Sequence, residues 1–356
     1  MNRYSGILIF GMLLSLALFT GCSQGKNDGR RYNDSYHGEY LNHIAFPLGG
    51  IGAGMVCVEG TGALSHVSLR NKPEIFKEPC AFAAISIKGI RNGAKLLEGQ
   101  VPTRKLFGGA NTGNGLGGTS YGLPRFEKSE FLARFPFGII NLYDKDIPVK
   151  VQLTAWSPFI PTDEDNSSLP VAAIEYSFEN PTQKNVEAVF SWNARNFMRI
   201  NRNNSIKPLK NGFILHQDGS KEHPEQEGDF AVFVDDNNVK VNHCWFRGGW
   251  WDALTKTWNG IEKCEIVEND PIANESPGAS LFVPFNLEPG EKKTIRLMFV
   301  WFVPASSLRL GTDASTPGPA FGEMPSKGTA PDQQEVSGFL GKGLVNTFDP
   351  DGDRLT

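Results

Sequence analysis

The sequence predicts an all-β protein, a large antiparallel β-sandwich, and three observations carry the prediction. Runs of β-branched and aromatic residues recur at short intervals, each bounded by Gly, Pro, Asn or Asp. The 356 residues include 39 glycines, 23 prolines and 25 phenylalanines, a pairing of turn formers with large apolar rings. No twelve-residue amphipathic stretch interrupts the runs, so no helical layer is expected among them.

The N-terminus reads as a targeting segment. Arg3 precedes an apolar run, Ile7–Phe19, of signal-peptide length and too short to span a bilayer. Leu18-Phe19-Thr20-Gly21-Cys22 is similar to a bacterial lipobox, which makes Cys22 the expected lipid attachment site; simple secretion is the alternative. Residues 1–21 are then a lipoprotein signal peptide and 22–39 a polar tether, and the expected location is the bacterial cell envelope.

Four glycines crowd Gly49 to Gly54. A dinucleotide loop would need a helix after it, but Met55–Val58 is β-type and Glu59–Gly62 is a turn. The expected role is close approach of another stretch of backbone. Ala81–Ile87 is a short strand ended by Arg91-Asn92-Gly93, and Phe107–Tyr121, with six glycines, has little to bury and reads as a surface loop.

The centre of the chain is clearest. Gly138–Tyr143 and Val149–Trp156 flank Asp144–Pro148 as a hairpin, and Val151, Leu153 and Ala155 alternate with Gln152, Thr154 and Trp156. Pro158 and Pro161 force the chain out of the sheet, and Asp163-Glu164-Asp165 is solvated loop. Val171–Phe178 and Val186–Asn193 read as a second hairpin around Asn180-Pro181. Asn196–Asn211 is polar and basic and reads as a solvated connection.

Phe213–Leu215, Phe230–Val234 and Val239–Trp245 are further strands. Phe246–Asp252 then places Trp250, Trp251 and Asp252 side by side. A pyranose ring offers an apolar C–H face and a hydroxyl rim, so these three are carbohydrate-binding candidates, although core or edge packing is the favoured role for such rings. Ala279–Phe285 and Lys292–Val303 close the domain. Both faces of the second run turn apolar towards its end, which predicts burial on both sides there.

Residues 305–331 read as linker and 332–356 as the truncated start of a second β-sandwich module. The Asp349, Asp351 and Asp353 series lacks the EF-hand spacing, so no metal is expected. Cys57, Cys80, Cys244 and Cys264 show no CxxC or Cys/His spacing; disulfides and buried free thiols both stay open. With 35 basic and 39 acidic residues there is no basic stripe for nucleic acid.

Four passages, FPLGGIGAGMV (Phe46–Val56), LTAWSPFIPTDEDNSSLPVAAIEYSFEN (Leu153–Asn180), NVEAVFSWNARN (Asn185–Asn196) and FNLEPGEKKTIRLMFVWFVP (Phe285–Pro304), together resemble the N-terminal domain of glycoside hydrolase family 116. That family contains β-glucosidases and non-lysosomal glucosylceramidases. The resemblance covers residues 40–304 and implies a supersandwich-like fold. It also implies a β-glycoside or oligosaccharide substrate, no cofactor, and a retaining mechanism with two carboxyl groups about 5 Å apart. In the family both carboxyl groups sit on a C-terminal (α/α)6 barrel, and no residue here matches either, so no catalytic residue is assigned.

Three functions follow. The first is the accessory sandwich of a retaining β-glucosidase, inactive without its barrel, with an apolar patch exposed where the barrel docks. The second is a lipid-anchored carbohydrate-binding protein, with rings such as Trp250 and Trp251 in an open groove. The third is a purely structural lipoprotein.

Overall fold

The computed structural model describes residues 30–306, apart from Phe76, residues 108–119, Trp251 and Asn274, and the Arg104 side chain. The chain divides into two units, Met1–Asp34 and Ser35–Thr356. In the first, the Asp34 carboxylate accepts from the Arg31 N–H at 3.1 Å and closes a turn. In the second, the described residues form a two-layer β-sandwich.

The strands begin with β1 (Tyr36–His37), β2 (Ala45–Leu48), β3 (Met55–Glu59), β4 (Leu64–Ser68), β5 (Ala81–Ile87) and β6 (Ala94–Leu96). A short helix, α1 (Thr103–Phe107), is followed by β7 (Lys128–Arg134), β8 (Phe137–Tyr143) and β9 (Lys150–Trp156). One helical turn, α2 (Glu164–Ser167), precedes β10 (Val171–Glu179) and β11 (Val186–Ala194). Then come β12 (Asn204–Leu209), β13 (Gly212–Gln217), β14 (Gly228–Val234), β15 (Lys240–Asn242) and helix α3 (Ala253–Glu262). Strands β16 (Ala279–Leu287) and β17 (Lys292–Phe302) complete the unit.

Nine strands form one sheet in the order β1-β7-β8-β9-β10-β17-β14-β13-β12, and five form another in the order β15-β16-β11-β5-β6. A small third sheet holds β2, β3 and β4. The two large sheets meet face to face. The Trp192 ring of β11 lies 5.7 Å from Phe299 of β17 and 5.8 Å from Phe213 of β13, and Tyr176 of β10 lies 4.9 Å from Phe190 of β11.

The central hairpin stands as expected, with β8 paired to β9. The second expected hairpin does not. Strand β10 pairs with β9 and β17, whereas β11 pairs with β5 and β16 in the other sheet. The connection after β10 therefore arches between layers, and the 288–291 turn between β16 and β17 arches beside it. Buried Asn180 ties the arches together: its amide donates to the carbonyls of Lys184, Leu287 and Glu288 at 2.8–3.1 Å. A period of two reports burial on one face and carries no information on which strand lies alongside.

Other boundaries also shift. Tyr36 and His37, read as tether, pair with Phe131 and Glu130. The polar stretch after Asn196 contains edge strand β12, in which Ile206 alone is a buried apolar residue and Pro208 is tolerated because the outer edge is unpaired. The strand expected at Val239–Trp245 shrinks to β15. All four described cysteines are free, and burial pushes the Cys57 and Cys80 thiols up to about 11.

The glycines between β2 and β3 do serve close approach. A Cβ on Gly50 would fall 2.3 Å from the Leu169 carbonyl oxygen, and one on Gly49, at φ +132°, 2.9 Å from the Trp301 ring. The Trp301 indole N–H donates to the Ala53 carbonyl at 2.6 Å and holds the turn against the sheet.

Candidate functional site

Alternation along the nine-stranded sheet sends Leu153, Ile174, Leu297 and Phe299 into the core. The opposite, outer face divides into two halves. One half is polar: Arg296 pairs with Glu175 at 2.8 Å, Lys150 with Glu179 at 2.6 Å, and Gln152 donates to Asn141 at 2.9 Å. Further along the same strands the outer positions turn apolar. The register aligns Phe137, Trp156, Ala173, Met298 and Phe233 in one row, and Val171, Val300 and Ala231 in the next, with Phe302 beyond.

The burial expected on both faces at the end of β17 is not found. Phe302 is 60 % exposed and Phe137 44 %, and no described residue covers the band. Its rim is apolar as well. Exposed Phe135 packs edge-on against Phe159 at 4.9 Å, and Ile160 and Leu169 are also exposed. The exposed Ile51 at the tip of the glycine turn is held there by its N–H, which donates to the Ser167 carbonyl at 2.9 Å. Asp163, read as solvated charge, caps α2: it accepts from the Asn166 side-chain amide at 2.6 Å and from its N–H at 3.0 Å, bonds that hold its carboxyl below the usual range.

The end of β11 lies at this same end of the sandwich, opposite the Asn180 arches, and Arg195 just beyond it meets one of the residues singled out in the sequence, Asp252. Trp245 is buried against the outer side of the five-stranded sheet and donates its indole N–H to Ser280 Oγ at 2.8 Å. Seven residues later Asp252 caps α3, accepting from the Thr255 N–H at 2.9 Å, and meets the Arg195 guanidinium at 3.0 Å. Between these anchors residues 246–250 are exposed. Phe246 lies against Gly248, and the Lys256 ammonium sits 5.7 Å from its ring centroid. Trp250 is 95 % exposed, so the core or edge packing favoured for it is wrong: Trp245, Trp258 and Leu254 already fill that surface. Asp252 is fixed at the start of α3 and Trp250 is exposed, but no contact joins the two, and Trp251 and Cys22 lie outside the described residues.

A buried ionic cluster went unnoticed in the sequence. The Lys105 ammonium lies 2.7 Å from both Glu59 carboxylate oxygens and 2.5 Å from Glu78, which also accepts from the Tyr121 hydroxyl. Beside it, Arg125 Nε donates to Glu98 at 3.1 Å and its Nη1 to three backbone carbonyls. Burial raises the Glu98 carboxyl above its ordinary range, with Arg125 pulling the other way. These residues are dispersed from 59 to 125 without a motif, which is why no spacing rule finds them. The cavity among them measures about 20 Å³, room for a single water but not for a sugar ring. With each carboxylate engaged, the cluster fastens α1 to the small sheet and offers no free acid for hydrolysis. No group of three or more His, Cys, Asp or Glu side chains that could hold a metal occurs among the described residues.

Comparison with known proteins adds the following. The family model described as beta-glucosidase 2, glycosyl-hydrolase family 116 N-term, matches residues 45–317. Among solved structures the chain is similar to a bacterial glucoamylase complexed with acarbose, at TM-score 0.40 and 9 % identity, over 78 % of this chain and 34 % of that one. It is also similar to a putative kojibiose phosphorylase from human microbiome, at 0.31 and 8 %, over 77 % and 27 %. A third is a family GH92 alpha-mannosidase from Bacteroides thetaiotaomicron, at 0.30 and 8 %, over 74 % and 32 %. The chain thus spans about a third of the length of these proteins. No curated protein matches the sequence.

Proposed function

From the premise that this chain belongs to glycosyl-hydrolase family 116 through the N-terminal domain of that family, we propose that it is the accessory β-sandwich of a retaining β-glucosidase or glucosylceramidase-like enzyme. The hydrolytic carboxyl pair sits on a helical barrel outside the sandwich, and the sandwich alone is inactive. The observation that carries this reading is the apolar band on the outer face of the nine-stranded sheet. Apolar residues aligned across β8, β9, β10, β17 and β14 are what a second domain needs in order to dock. The glycine turn, with Ile51 at its tip, lies beside the band and would meet the same partner.

The buried cluster supports the reading from the other side, because paired carboxylates around a water-sized cavity leave no room for a sugar between an acid and a nucleophile. The substrate is then a β-glycoside bound by the barrel, and lipidation at Cys22 would tether the assembly to the cell envelope.

The experiment is hydrolysis of an aryl β-glucoside by the purified chain, alone and after addition of a separately produced family 116 helical domain. The expected result is no turnover alone, and a complex with the helical domain that Phe137→Ser with Phe302→Ser abolishes. Turnover that follows the chain alone through purification overturns the reading. A second reading, a lipid-anchored carbohydrate-binding protein, draws support from the exposure of Trp250.

A further inference from the structure

We propose that the cleft beside the end of α3, on the outer side of the five-stranded sheet, binds a small amphiphile, an aliphatic chain ended by a carboxylate. The cleft shares no residue with the apolar band, and the proposal is independent of both the docking role and the family.

The first argument is shape. Helix α3 and Trp245 cover Phe82, Ala84 and Phe282 on that side of the sheet, and the cover stops with Ile261. Beyond it, Val189 of β11 and its register partner Pro284 of β16 are only half buried. They floor a cleft of about 330 Å³ whose wall is Lys263, Cys264 and Ile266. That volume lies in the range in which proteins hold small molecules, whereas the space inside the ionic cluster takes one water. The wall is set before any ligand arrives, because the helix ends in a fixed reversal. The Cys264 N–H donates to the Ile261 carbonyl and the Glu265 N–H to the Gly260 carbonyl, both at 2.9 Å, with Cys264 in the left-handed region at φ +56°.

The second argument is chemistry. Val189, Pro284 and Ile266 offer methyl and methylene groups, which suit an aliphatic chain. The rim carries the Lys88 and Lys263 ammonium groups and the amides of Asn238 and Asn286. Glu187 is the one carboxylate among the residues that line the cleft. It lies 2.8 Å from Lys88, and Lys263 has Glu265, outside the lining, at 3.9 Å. All four side chains are more than half exposed, so water screens both pairs and neither ammonium is tied down. Two cations against one carboxylate leave the rim short of one negative charge. Both lysine stems can lie along an apolar chain while their ammonium groups meet its head. A neutral sugar has no charge to answer them, and a cationic ligand meets repulsion.

The test is a calorimetric titration of the purified chain with octanoate, run beside alkylation of Cys264 by iodoacetamide and peptide mapping. Expected is saturable binding that slows alkylation of Cys264. Ile266→Glu, which sets a carboxylate against that of the ligand, should weaken binding about tenfold or more. Lys88→Gln with Lys263→Gln should weaken it several-fold. These three side chains are exposed, so the variants should keep the native melting temperature, and loss of binding is then not loss of fold. Phe302→Ser, on the docking band, should bind as the native chain does. Absence of saturable binding, unchanged alkylation of Cys264, or binding undiminished in Ile266→Glu overturns the site. Octan-1-ol bound as tightly as octanoate overturns the carboxylate as the recognised group. Binding lost in Phe302→Ser puts the ligand on the band and overturns the cleft, while the accessory reading stands or falls on the complex with the helical domain.

Discussion

The two large sheets carry apolar residues on both of their faces, yet among the described residues only the five-stranded sheet has an element covering its outer apolar face. In the five-stranded sheet every residue of β5 is buried. Ala81, Ala83, Ile85 and Ile87 face the sandwich core, while Phe82 and Ala84 face Trp245, Leu254, Trp258 and Ile261 on the far side. Helix α3 supplies that cover from within the chain. The nine-stranded sheet has the same inner face, but its outer band of Phe137, Trp156, Met298 and Phe302 meets no such element among the described residues. An apolar face folded under a helix stabilises the domain; an equally apolar face left open is available to a partner.

The contrast can be broken or sharpened by experiment. Trp258→Ala, under the covered face, should cost about 3–5 kcal/mol in denaturant unfolding, since a buried indole leaves a cavity. Lys105→Met should cost a similar or slightly smaller amount, about 3–4 kcal/mol, because Glu59 and Glu78 are left buried without their cation.

A smaller effect belongs to Glu130, on the polar part of the outer face. It accepts from the Ser35 hydroxyl, from Asn141 at 3.3 Å and from the Tyr143 hydroxyl at 3.0 Å, and these bonds hold its carboxyl below the ordinary 4.5. A carboxyl lowered in the folded state contributes stability above its unfolded value, and that contribution is lost as pH falls through the lowered one. Glu130→Gln should therefore lower stability at neutral pH and flatten its decline below about pH 4.5, as read by urea melts across pH. The smallest effect is expected at the open band. Phe302→Ser should change stability by no more than about 0.5 kcal/mol while reducing binding of an apolar dye. A large destabilisation there would show that the band is part of the core after all.

Strand positions were legible because a half-buried strand writes its period of two into the sequence, as Val151, Leu153 and Ala155 do. Neighbours were not. Strands β10 and β11 read as a hairpin and lie in different sheets, because layer assignment depends on Asn180 and on a strand more than a hundred residues away. Helix α3 was missed although Leu254, Trp258 and Ile261 are spaced at four and three residues, since ten residues give a short signal beside a glycine-rich bulge. Asp252 was singled out as a carbohydrate-binding candidate; in the structure it caps that helix. The apolar end of β17 was read as doubly buried because alternation reports how apolar a face is and not whether anything covers it.

The pairing of β10 with β17 also sets an order of events during synthesis. Strands β10 and β11 emerge early, but their partners β17 and β16 lie about 85–130 residues downstream. At roughly 5–20 residues per second the ribosome needs about 4–26 s to cover that distance. Throughout that interval the two strands that form the middle of each layer present unpaired edges and bare apolar faces. The sandwich cannot close gradually from its N-terminus; it closes when the final strand arrives between β10 and β14, and until then the nascent chain depends on whatever shields those edges.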